Sequence, residues 1–167
     1  MFEAMSGPTH EYMQSSPGCW HGYGTLLARE YQDRALFGAV HRLTVDAYAL
    51  QHPGDPTDRR ARQSIWVHYA ALHLALDART DHARIAPIMQ KLVKASLPPL
   101  PPRPVQFDVT LADVLARGKS DHVPAVTAWA NSAFRAWAAL AEQTATLLRA
   151  VQDRSDDLRF ADARPIR

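Results

Sequence analysis

Along most of the chain apolar residues return every three or four positions, the period of a helix with one buried face, and the alternation of a half-buried strand is nearly absent. A first helix is predicted from Ser16-Pro17-Gly18-Cys19, where serine at the N-cap satisfies one orphan N–H and proline at the first helical position omits another. Trp20, Tyr23, Gly24, Leu27 and Tyr31 then fall on one side. A second helix is predicted over 36–52, with Leu36, Val40, Leu43, Ala47 and Leu50 as its stripe and Pro53-Gly54 as its stop. A third runs over 57–79, carrying Ile65, Leu72 and Leu76, and a shorter one lies within 81–95, where Pro87 either kinks it or starts it. Residues 98–104 hold five prolines in seven and read as a stiff extended connector. Thr110-Leu111-Ala112-Asp113 has the form of a capping box, and Gly118 closes the short helix it opens. A last long helix, capped by Ser120 or Asp121, carries Val126, Ala130, Ala133, Trp137, Leu140, Thr144, Leu147 and Val151 at alternating steps of four and three. The expected architecture is a single all-α domain over 1–152, a helical bundle of four main helices plus short helices, with a frayed tail over 153–167.

Composition narrows the class. A chain of 167 residues with 47% hydrophobic and 22% charged positions is sized for one domain with its own core. Nineteen basic and seventeen acidic residues, interleaved to a net charge of +2, argue against a nucleic-acid partner. Arg59, Arg60 and Arg62 cluster after Asp55 and Asp58, but with no aromatics between them they read as a solvated helix start. The single cysteine, Cys19, forbids an intrachain disulfide. No apolar run nears the ~20 residues of a membrane span, and Met1 to Gly7 lacks the regions of a signal peptide. A cytoplasmic protein without a membrane partner is expected.

Phosphate-cradling loops, dinucleotide fingerprints, nucleophile elbows, paired cysteines and His-Glu-x-x-His are all missing, which leaves eight histidines as the compositional oddity. Helix geometry prunes them: His41 and His52 share a face but lie about 16 Å apart along the axis. Asp46 stands between Leu43 and Leu50, where an unpaired carboxylate is costly, and His68 shares a face with Ile65 and Leu72. A short turn makes the second and third helices antiparallel, so Asp46 and His68 come about level. Asp46, His52 and His68 are therefore expected to form a buried polar cluster, with His10 and Cys19 nearby. It is either a hydrogen-bonded Asp–His pair locking two helices or a site for a divalent metal such as zinc. Cys19, at the positive end of a helix dipole, reads either as a thiol biased toward thiolate or as a small buried hydrophobe beside Trp20.

The segments Gly7-Pro8-Thr9-His10, Ser16-Pro17-Gly18-Cys19-Trp20, Leu27-Ala28-Arg29-Glu30-Tyr31, and above all Val45-Asp46-Ala47-Tyr48-Ala49-Leu50-Gln51-His52-Pro53-Gly54, resemble an uncharacterised bacterial domain-of-unknown-function family. The resemblance is strongest over 7–76 and weaker from Thr110 to Trp137. It implies that His10, Cys19, His41, Asp46, Gln51, His52 and His68 belong to a shared pattern, and it implies no activity. Many relatives of this kind start with a Cys-x-x-Cys-like segment that this chain lacks, so no metal role of that segment carries over. Three functions stay open. The first is a bundle with a polar His/Asp/Cys pocket, possessing or lacking a metal that would activate water or a thiol. The second is a non-enzymatic module for a small ligand or a protein, and the third is a homo-oligomer formed through the last long helix. Whether the chain is an enzyme is left undecided by these residues.

Overall fold

The computed structural model describes residues 5–162. It is all-α: helices α1 (Pro17–Tyr31), α2 (Arg34–Gln51), α3 (Arg59–Leu72), α4 (His82–Leu92), α5 (Leu111–Leu115), α6 (His122–Ala136) and α7 (Ala141–Asp162), with no strand among the described residues. The start signals act as their chemistry dictates. Ser16 Oγ accepts from Cys19 N and Pro17 opens α1. Asp33 caps α2 through the N–H groups of Ala35 and Leu36, and Asp58 caps α3 through those of Arg60 and Ala61. Thr110 and Asp113 form a complete capping box on α5. Pro87 lies inside α4 rather than at its start.

Helix α2 is the hub, packed by α1, α3 and α6 around a core of Leu26, Val40, Ala47, Leu50, Ile65, Trp66, Leu72, Trp129 and Trp137. A second apolar cluster joins α3 to α4 and α7 through Ala70, Leu74, Ile85, Met89, Leu92, Leu148 and Val151. The proline-rich segment carries no regular secondary structure, and the indole of Trp66 ties it down by donating to Pro98 O at 2.9 Å.

Three expectations change. The last long helix is two helices, broken by a 3-10 turn at Ala138–Leu140. The break follows Trp137, whose indole donates at 2.8 Å to Leu50 O, a carbonyl in the last turn of α2 with no partner in its own helix. The third helix ends in a π turn, His73–Asp77, and Arg79 adopts a positive φ of 47° just beyond it. The buried side of α1 is set by Tyr23, Leu26 and Glu30, while Tyr31 is 67% exposed. A purely apolar reading of that face takes in the tyrosine and leaves out the carboxylate. Of the tail expected to fray, α7 extends helically to Asp162, and 163–167 lie outside the described residues.

Candidate functional site

The first turn of α1 and the C-terminus of α2 meet at Cys19 and His52. Pro17 and the Ser16 cap fix the direction of α1, which sets Cys19 Sγ 3.0 Å from His52 Nε2. His52 is the C-cap of α2, and Pro53-Gly54 turns the chain away. Its Nδ1–H donates to Tyr48 O at 3.0 Å, one turn back, so the neutral ring offers Nε2 as a lone pair and the thiol S–H donates to it. Burial acts on both partners in the uncharged sense: it pushes the Cys19 thiol up to about 11 and holds His52 below the usual imidazole range. The helix dipole, which would favour thiolate, is outweighed, and the resting pair is neutral.

Aromatic rings and the N-terminal segment close over this pair. The Tyr48 ring lies 4.2 Å from His52 and stacks on Tyr23 at 3.9 Å. Trp20 bridges from Tyr48 to His10, with ring centroids 5.9 and 5.2 Å apart. His10 is used by its own segment, since Nδ1 accepts from Tyr12 N and Met13 N at 3.3 Å each. Gly54 is required where this segment crosses, because a Cβ there would run into the carbonyl oxygen of Tyr12.

Asp46 is fully buried, with one donor on each carboxylate oxygen. Arg42 Nε donates to Oδ2 at 3.0 Å and His68 Nδ1 to Oδ1 at 2.7 Å, so the predicted proximity of Asp46 and His68 exists as a hydrogen-bonded pair across α2 and α3. His52 does not join them, because both of its ring nitrogens are committed elsewhere. The expected three-ligand set of Asp46, His52 and His68 is thus divided in two. Among the described residues no group of three or more His, Cys, Asp or Glu side chains is arranged to hold a metal ion.

A third cluster was not foreseen as such. Glu30, fully buried on α1, receives the Thr44 hydroxyl at 2.5 Å and His122 Nε2 at 3.2 Å on Oε1, and His41 Nδ1 at 2.8 Å on Oε2. It joins α1, α2 and α6. Two signals in the sequence pointed to it: Glu30 is in helical phase with Tyr23 and Leu26, and His122 with Val126 and Ala130. Gln51 serves a comparable structural end, its Oε1 accepting from Leu111 N at 3.2 Å and Trp129 Nε1 at 3.1 Å, which pins α5 and α6 to α2.

No curated protein and no solved structure matches the chain. A family model does match, over residues 5–138, the stretch that contains the Cys19–His52 pair, the Asp46–His68 pair and the Glu30 cluster alike. The chain therefore belongs to the family of unknown function DUF5946.

Proposed function

We propose that this is a helical-bundle metal-binding protein in which Cys19 and His52 take a divalent cation such as zinc. One observation carries the reading: the 3.0 Å approach of Sγ to Nε2, with the opposite ring nitrogen held by Tyr48 O. Thiolate sulfur and imidazole nitrogen are donors that zinc favours, and a backbone carbonyl on the other ring nitrogen is a common support for a metal-binding histidine. With two ligands from the chain the site is open, and tetrahedral coordination leaves two positions for water or an external ligand. The neutral resting state favours a metal site over a nucleophile. A thiol held up to about 11 supplies little thiolate near pH 7, whereas a cation displaces the thiol proton as it binds.

The lone cysteine supports a reducing, cytoplasmic location, and the interleaved charges support a protein without a nucleic-acid partner. No helix among the described residues is long and apolar enough to cross a membrane. The stripe that could have joined two copies is occupied within the chain: Val126, Ala130, Ala133, Trp137, Leu140, Thr144 and Val151 are all buried. A pairing of copies would use another surface.

Tag-free protein titrated with cobalt(II) tests the proposal. The expected result is a near-ultraviolet thiolate-to-cobalt absorption that zinc abolishes by competition, that strengthens as pH rises, and that is missing from Cys19→Ser and His52→Ala. Absence of the band in the wild-type protein, or its persistence in both variants, overturns the reading.

A further inference from the structure

Arg60, Ser64 and His68 follow one another on α3 at four-residue spacing, so a guanidinium, a hydroxyl and an imidazole stand in line along one face. Together with Tyr12 of the N-terminal segment, Val67 and Val93, they line a pocket of about 390 Å³. Helical side chains lean toward the N-terminus of their helix, which sets the His68 ring back over the turn that carries Ser64.

The two ends of this line, His68 and Arg60, have capacity to spare. His68 gives its Nδ1–H to Asp46, a buried carboxylate already matched by Arg42, and its Nε2 has no hydrogen-bond partner among the described residues. With Nδ1–H given to Asp46, the neutral form of the ring presents Nε2 as an acceptor. Between them Ser64 Oγ is shielded from water and has no partner among the described residues, although a helical serine can return its hydroxyl to the carbonyl one turn back. Arg60, at the outer end, holds the carboxylate of Glu11 through a single 3.0 Å contact between two largely exposed side chains. That contact shows the kind of group the outer end accepts and breaks at little cost.

We propose that this pocket binds a small hydroxylated carboxylate. The ligand's carboxylate replaces that of Glu11 on Arg60, its hydroxyl donates to His68 Nε2, and its apolar body rests on Val67 and Val93 across the turn that carries Ser64. Asp46 acts here as a positioning residue, since it fixes the ring so that Nε2 is the free nitrogen. The site shares no side chain with the Cys19–His52 pair, so the two proposals stand or fall separately.

The test uses 4-hydroxybenzoate as probe, with benzoate lacking the hydroxyl and phenol lacking the carboxylate, read by the NMR resonances of the His68 ring. The hydroxyacid should bind about tenfold more tightly than either truncated compound, in line with the loss of one hydrogen bond or one charged contact. Arg60→Gln should weaken it by about tenfold, and Glu11→Gln, which frees the guanidinium, should tighten it. Both substitutions fall on exposed side chains, so the fold persists in each. Cys19→Ser should leave binding unchanged. The proposal is overturned if none of the three compounds moves the His68 resonances at about 10 mM. It is equally overturned if binding is the same in wild type, Arg60→Gln and Glu11→Gln, or if benzoate and 4-hydroxybenzoate bind alike.

Discussion

Glu30 and Cys19 sit on the same helix, about 16 Å apart along its axis, and both are held against α2, yet they are opposite kinds of joint. Around Glu30 a buried carboxyl group accepts three hydrogen bonds from donors on two other helices. Around Cys19 two uncharged groups share a single hydrogen bond, and burial keeps them uncharged. The first arrangement cannot lose a member without stranding the rest. The second can exchange its one proton for something else. A buried cluster tied by several hydrogen bonds across three helices is thus best read as a fastening, and a neutral pair with facing donor atoms as a place where chemistry can enter.

The largest break in this comparison should come from Glu30→Ala, which strands His41, Thr44 and His122 and should cost about 3–5 kcal/mol by urea unfolding, with Glu30→Gln costing less. Trp137→Phe, which keeps the ring and removes the donor to Leu50 O, should cost about 1–3 kcal/mol in the same assay. At the other end of α1, Cys19→Ser should change stability by no more than about 1 kcal/mol while abolishing cobalt uptake. Gly54→Ala should register mainly as exposure: its Cβ drives the Tyr12 backbone away, and iodoacetamide should label Cys19 faster than in wild type.

The pair also has a pH signature of definite sign. The unfolded thiol loses its proton near its ordinary value of 9.0, while the folded one holds it to about 11, so stability should fall as pH rises through that interval. His52, held low by burial, works in the acid direction: stability should fall as pH drops below the ordinary imidazole value, because the unfolded ring binds the proton first. Both slopes should flatten in Cys19→Ser and His52→Ala respectively, as read from unfolding midpoints across pH.

Much of the fold was legible because its signals are local. Ser16-Pro17, Pro53-Gly54 and the Thr110–Asp113 box each act within one turn, and the structure uses them as their chemistry requires. The pairing of Asp46 with His68 was legible for a related reason, since a short loop between antiparallel helices fixes which residues come level. Cys19 is expected near His52, and α1 and α2 run antiparallel from the short connection at Gln32–Asp33; what the sequence left open was the register that brings the Cys19 thiol level with the His52 ring. The break after Trp137 was hidden as well: Trp137-Ala-Ala-Leu holds neither proline nor glycine, and the apolar stripe keeps its phase through the turn. Glu30 was missed because a search for apolar faces passes over a carboxylate even where it is in phase with them.

The four tryptophans divide in the same way as the polar groups. Trp66, Trp129 and Trp137 are entirely buried with their indole N–H groups fastened, Trp66 to the proline-rich segment and Trp129 and Trp137 to the last turn of α2, whereas Trp20 is partly open and touches His10, Tyr23 and Tyr48. Three of the four chromophores are therefore clamped in fixed surroundings, and a change in intrinsic emission when a cation is added reports chiefly on the fourth, beside the thiol.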